Sequence, residues 1–175
     1  HVEAMADGEL DLTLFHGAIR NSENEHVAKL LRRKSKLMVA FGSCAHLGGI
    51  PGLSNGTTRE RTLAAKYFES PTVDNPTRLL PQRLTQVNGY ALELPEFSPS
   101  VRCLNQVIEV DYYLPGCPPT PEWIMEACRM ILSGHLPAKG AVIGLEKSLC
   151  DECPRKESKP EVLKISAFRR VADST

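Results

Sequence analysis

Several things are missing from this 175-residue chain, and each absence closes off a class of function. No stretch approaches 18 uninterrupted apolar residues, although 42% of the residues are apolar, which argues for a globular core and against a membrane span. There is no charge of either sign in excess. Lys and Arg number 21, and so do Asp and Glu, which leaves no electrostatic reason to expect nucleic acid or an anionic membrane as partner. The phosphate-cradling GxxxxGK[ST] loop, the zinc-protease HExxH and the GxSxG nucleophile turn are all missing, so serine–histidine–acid chemistry has no anchor. No internal repeat is visible. The first residue is His1 and no charged-then-apolar leader follows it; the reading is of a fragment.

The chain does have six cysteines: Cys44, Cys103, Cys117, Cys128, Cys150 and Cys153. Six thiols allow three disulfides, but the length and apolar content exceed those of disulfide-dependent modules. An intracellular thiol or metal role is the better starting point.

The pattern around them is α/β. Leu10–Phe15 reads as a strand and Asn24–Arg33 as a helix, with Val27, Leu30 and Leu31 at helical spacing and cations in its last turn. Lys36–Phe41 is a second strand. Strand–helix–strand suggests a parallel sheet. Gly42–Asn55, with four glycines and a proline, reads as a loop. A helix follows over Glu60–Tyr67, then a long proline-rich excursion over Glu69–Ser100. Val107–Tyr113 reads as a third strand running into the turn Leu114–Pro119, and Pro121–Leu132 as a helix with proline in its first turn. After Gly140 the periodicity fades. The expected boundary puts an α/β domain at 1–145 and an irregular, polar extension at 146–175.

Cys44 and Cys117 occupy equivalent places, each just past the end of a predicted parallel strand. Ligands of open α/β sheets bind outside those ends, so two thiols 73 positions apart are placed to meet. Gly42, Gly48, Gly49 and Gly116 beside them let backbone approach a bulky group and aim N–H donors at it; such donors tune the potential of cluster sulfurs. Pro118 and Pro119 stiffen the second turn. Against this stands the reading of both as small buried hydrophobes; residue type and spacing leave the two readings level. Cys150 and Cys153 form a CxxC in a charged segment, away from the strand–helix setting of redox dithiols, which favours half of a metal or cluster site. Cys128 fits the apolar face of its helix with Ile124 and Ile131 and is expected in the core; Cys103 is read as structural. His16 and His46 lie near these strand ends, where a histidine can carry protons, though each alone reads as a hydrogen-bonded loop residue. His1, His26 and His135 carry no signal.

Taken together, GSCAHLGGIPGLSN, VDYYLPGCPPTPE and KSLCDECPR resemble the small subunit of nickel–iron hydrogenases. FHGAIRNSENEHVAKLLRRKSK and YFESPTVDNPTRLLPQ extend the resemblance over nearly the whole chain. The nearest kind is the F420-non-reducing, methyl-viologen-reducing type that works with heterodisulfide reductase, within the superfamily of the 20 kDa subunit of NADH:ubiquinone oxidoreductase. The resemblance implies a flavodoxin-like domain, a cytoplasmic location, and electron relay from a nickel–iron large subunit to an acceptor such as a small iron–sulfur protein or heterodisulfide reductase. It also implies a proximal [4Fe–4S] cluster held by four cysteines. Cys44 and Cys117 match the ligands of the GxCA and GCPP motifs, flanked by Gly42 and Gly116. The other two ligands, an N-terminal CxxC, have no counterpart here, and neither does the glutamate beside it that handles protons; His16 does not match that glutamate. Cys150 and Cys153 match the first two ligands of a distal cluster whose remaining ligands would follow Thr175. Two other readings compete: the complex I subunit itself, which has adjacent N-terminal cysteines and no CDECPR element, and a zinc-stabilised interaction module.

Overall fold

The computed structural model describes residues 2–144 and 149–158. The chain divides into two compact units, 1–144 and 145–175, which are taken separately.

In the first unit, strand β1 (Leu10–His16) leads through a short strand β2 (Ile19–Asn21) into helix α1 (Ser22–Lys34). Asn21 starts that helix: its side chain accepts from the Asn24 N–H at 2.8 Å while the Asn24 side chain accepts from the Asn21 N–H at 3.3 Å, a reciprocal cap. Glu23 and Glu25 in the first turn and Arg32, Arg33 and Lys34 in the last complement the helix dipole. Strand β3 (Ser35–Phe41) follows directly, then two short helices, α2 (Gly42–Leu47) and α3 (Gly49–Gly52), and a 3-10 turn over Leu53–Gly56. Helix α4 (Arg59–Tyr67) is capped by Thr58, whose hydroxyl accepts from the Arg61 N–H. The excursion after it contains a hairpin, β4 (Leu84–Val87) with β5 (Tyr90–Glu93), every residue of which is exposed. Strand β6 (Phe97–Arg102) pairs with β2. Strand β7 (Tyr112–Leu114) and helix α5 (Pro121–Ser133) complete the set; α5 begins on Pro121 and ends at Gly134 with φ +70°.

The central sheet is parallel, in the order β1-β3-β7, and Val142 adds a parallel bridge to Tyr113. Both faces are covered. Met38 and Ala40 of β3 pack with Ile19, Ala28, Ala45 and Leu104 on one side; Val39 packs with Tyr112, Leu114, Ala127 and Ile143 on the other. The alternation of Met38, Val39 and Ala40 is the two-residue period of a strand, and burial on both sides explains why β3 reads as a near-continuous apolar run.

Asp111 sits at the start of the β7 pairing with a side chain 1% exposed. Its carboxylate accepts from Arg32 Nη1 at 2.6 Å, from the Met38 N–H at 2.8 Å and from Lys139 Nζ at 2.6 Å. Burial alone would raise its pKa. The bonds from Lys139, Arg32 and the Met38 amide outweigh that and hold it below the ordinary carboxylate value. The network ties α1, β3, the entry to β7 and the turn before Gly140 into one charged knot.

Three expectations are corrected. Gly42–Asn55 is not a loop but a series of short helical turns, broken where Gly48 takes φ +86°; Gly42 and Gly49 begin turns of helix, and Gly48 and Gly52 end them. Val107–Asp111 is not strand, because Val107 and Ile108 return their N–H groups to Leu104 O and close a turn; their apolar character reflects packing against the core. Cys128 is exposed. The inner stripe of α5 is set by Ala127 with Trp123, Ile124 and Met130, and Cys128 lies one residue round from it, about 100° away. Among the described residues no helix is long and apolar enough to cross a membrane.

In the second unit the described residues form helix α6 (Leu149–Glu152) and a 3-10 turn over Lys156–Ser158. Cys150 is exposed and Cys153 half-buried. The Cys153 carbonyl accepts from the Lys156 N–H at 2.9 Å, and Lys156 pairs with Asp151 at 3.4 Å.

Candidate cluster-binding edge

The sheet edge at the carboxyl ends of β1, β3 and β7 gathers residues far apart in sequence. In register, His16 lies opposite Phe41 and Phe41 opposite Leu114. Beyond Phe41 the chain turns through Gly42 and Ser43 to Cys44; beyond Leu114 it turns through Pro115 and Gly116 to Cys117. Two hydrogen bonds join these turns. The Ser43 N–H donates to Gly116 O at 2.7 Å, and the Gly116 N–H donates to Ser43 Oγ at 3.3 Å. The residue before each cysteine is thus bonded to the residue before the other.

The glycines here answer to close approach. A Cβ on Gly42 (φ +85°) would lie 3.3 Å from Gly116 O. One on Gly116 (φ +132°) would fall 2.4 Å from Pro119 Cα and 2.7 Å from Pro118 O, inside the volume of the turn that carries Cys117. One on Gly49 (φ +55°) would fall 2.7 Å from the Cys44 sulfur. At each position the turns pack too closely to admit a side chain without strain or displacement. Cys44 is half-buried and Cys117 exposed, so neither is a core hydrophobe. The Cys117–Pro118 peptide is cis.

His46, two residues past Cys44, stacks on Tyr113 with ring centroids 4.6 Å apart. Its Nδ1 is buried and finds no hydrogen-bond partner among the described residues, and burial lowers its pKa. His16 is exposed at the β1 end of the same edge. Cys103 caps the 3-10 turn over Leu104–Gln106, its thiol 3.0 Å from Asn105 Oδ1. It lines a cleft of about 400 Å³ with Leu47, Gly48, Gly49, Leu53 and Val101. Leu47, Ile50 and Leu53, around the α2–α3 turns, are 70%, 70% and 77% exposed, an apolar rim beside the Cys44 turn. Composition alone does not flag Ser43 or Asp111; Ser43 is a small polar residue inside a glycine-rich string, and its partner is 73 positions away.

A [4Fe–4S] cluster takes four thiolates. The first unit brings two free thiols to one edge, and among the described residues no group of three or more His, Cys, Asp or Glu side chains is placed to hold a metal. These two thiols therefore suit half of such a ligand set. Cys150 and Cys153 lie three positions apart across the end of α6, both as free thiols.

Comparison with known proteins gives consistent relatives. The family model described as NADH ubiquinone oxidoreductase, 20 Kd subunit, matches residues 1–131. The iron-sulfur subunit of the F420-non-reducing hydrogenase of Archaeoglobus profundus is 44% identical over 154 residues, covering 88% of this chain and 48% of that protein. A vhu subunit of the F420-non-reducing hydrogenase of Methanocaldococcus jannaschii is 37% identical over 157 residues, covering 89% and 49%. The chain thus spans about half the length of these curated relatives. A crystal structure of an NAD+-reducing [NiFe]-hydrogenase in the H2-reduced state contains a chain that superposes with TM-score 0.63 at 34% identity, covering 74% of this chain and 70% of that one.

Proposed function

Because the chain belongs to the family of the NADH ubiquinone oxidoreductase 20 Kd subunit, we propose that it is the central part of the electron-relay subunit of a nickel–iron hydrogenase. The observation that carries this reading is the hydrogen-bonded pairing of the Cys44 and Cys117 turns at one sheet edge. In this reading Cys44 and Cys117 supply two of the four thiolates of a proximal [4Fe–4S] cluster, with the other two from chain outside these residues. Cys150 and Cys153 begin the ligand set of a second, distal cluster. When bound, such clusters accept and pass on electrons one at a time.

The chain's own residues do the rest. The thiolates of Cys44 and Cys117 are permanent ligands and not nucleophiles. Gly42, Gly49 and Gly116 let the two turns and the Cys44 sulfur pack where a side chain would collide, and so hold the thiolates at this edge; backbone N–H groups near such thiolates are a means of setting potential. The Ser43–Gly116 pair fixes the spacing of the two turns. The exposed Leu47, Ile50 and Leu53 beside Cys44 suit contact with a nickel–iron large subunit, and the Cys150–Cys153 region faces the outgoing acceptor, a small iron–sulfur protein or heterodisulfide reductase. In this reading the assembly is cytoplasmic.

The related complex I subunit is the alternative that the family itself raises. Cys150 and Cys153, and hydrogenase subunits among the relatives, favour the hydrogenase. The test is made on the full-length protein in its complex, purified without oxygen. Iron with acid-labile sulfide and hydrogen-dependent reduction of methyl viologen are expected. Zinc alone would exclude the relay, and clusters without hydrogen uptake would point to the complex I type.

A further inference from the structure

We propose that Asp111 is a positioning residue for the cluster, the lock that sets the register of β7 against β3 and thereby the spacing of Cys44 and Cys117. This rests on the reading of those two cysteines as ligands of one cluster.

The ladder between these strands is short: Val39 pairs Tyr112, Ala40 pairs Tyr113 and Phe41 pairs Leu114. Each pair is offset by the same 73 positions that separate Met38 from Asp111 at one end and Ser43 from Gly116 at the other. The cysteines are the next pair at that offset. A one-residue slip would turn the β7 side chains to the opposite face and carry the turn that bears Cys117 about 3.3 Å along β3. Three paired positions are a weak guard against that, and Ser43–Gly116 closes only the exit.

Asp111 closes the entrance in both directions. Its own N–H donates to Met38 O at 2.9 Å, and its Oδ2 accepts from the Met38 N–H at 2.8 Å. The same oxygen holds Arg32 of α1, while Oδ1 holds Lys139. The side chain therefore does what one more strand residue would do, and it is anchored from two sides while it does so. Slipping the register by one residue would pull Oδ2 off the Met38 amide and leave a buried carboxylate short of a donor, a costly state.

The shape of the lock separates it from a general contribution of charge. Asp111→Asn can keep an accepting oxygen at the Oδ2 position, facing Met38 and Arg32, and gives up the negative charge and the Lys139 contact. Asp111→Glu keeps the charge but places the carboxylate one methylene further out. Asp111→Ala removes the lock. With the full complex, the electron paramagnetic resonance signal and midpoint potential of each cluster are read for these variants, with Lys139→Gln and Cys117→Ser as references. The expected result is a wild-type proximal signal in Asp111→Asn and Lys139→Gln, even where thermal stability drops. Asp111→Glu and Asp111→Ala should show an altered or lost proximal signal, with the distal signal unchanged. Asp111→Ala with unchanged signal and potential, or Asp111→Asn shifted as far as Asp111→Glu, overturns the proposal. If the Glu and Ala variants fail to assemble, Asp111→Asn decides alone: a retained proximal signal supports the lock, and a lost one contradicts it. Should Cys117→Ser itself leave every signal intact, the ligand reading beneath the proposal fails instead.

Discussion

Replacing Gly116 by alanine tests whether the Cys117 turn is as tightly built as its contacts imply. At φ +132° a residue with a Cβ pays about 1–3 kcal/mol in backbone strain. The added methyl would also lie 2.4 Å from Pro119 Cα, 2.6 Å from Pro119 N and 2.7 Å from Pro118 O. These are backbone atoms of a stiff proline pair, so no rotamer change relieves the overlap and the turn itself must open. Opening it breaks the two bonds to Ser43, each contributing about 1 kcal/mol. The sum is on the order of 3–5 kcal/mol, which lowers the melting temperature of a domain this size by on the order of 10 °C. Gly8→Ala is the internal control. Gly8 also has positive φ, +74°, but a Cβ there meets nothing within 4 Å, so only the left-handed penalty of about 1–2 kcal/mol applies. Scanning calorimetry of the full-length protein, with iron content measured alongside, should find Gly116→Ala the less stable of the two and depleted in iron. If Gly116→Ala melts no lower than Gly8→Ala and retains its iron, the turn is looser than described and the argument from close approach collapses.

Other outcomes follow from the charged contacts. The Asp111 carboxyl titrates below its unfolded value, so its contribution to stability is complete above about pH 4 and is lost as pH falls through the lowered folded value. Asp111→Ala should cost about 1–3 kcal/mol at pH 7, because the buried Met38 amide loses its acceptor while Arg32 and Lys139 still reach solvent, and flatten the acid limb; urea midpoints at pH 7 and pH 3 measure both, and an unchanged acid limb would count against the network. Glu25 bridges Lys29 and Arg102, and hydrogen bonds from both hold its carboxyl at about 2, down from 4.5. Arg102→Met should raise that midpoint in a carboxyl-carbon NMR titration, and no movement would mean that the α1–β6 bridge is not formed in solution.

How far the structure is readable from sequence depends on whether a feature is local. β1, α1, β3 and α5 carry full periods of apolar residues and recognisable end signals, such as the last-turn cations of α1 and Pro121 in the first turn of α5, and their bounds lie within two residues of the expected ones. The strand-end placement of Cys44 and Cys117 follows from the same local reading plus the rule for parallel sheets. Gly42–Asn55 misleads because glycine marks both loops and helix ends, and only backbone angles tell them apart. Val107–Asp111 misleads because burial in a turn and burial in a strand look alike over five residues. Cys128 depends on helix phase, which Ala127 decides. Ser43 and Asp111 are invisible for another reason: each acts through a partner 73 residues away, and no window along the chain contains both. The charged character of residues 146–175 points to a change of domain, and most of that stretch lies outside the described residues.

The claim on which the account stands is that positions 44 and 117 serve the same cluster, and a double-mutant experiment addresses it directly. Iron content and cluster spectra are measured for Cys44→Ser, Cys117→Ser and the double variant in the intact complex. Each single change is predicted to remove or alter the same signal, and the double variant to lose no more than either single one. Losses that fall on two different signals, or that add, would show that the two thiols serve separate sites.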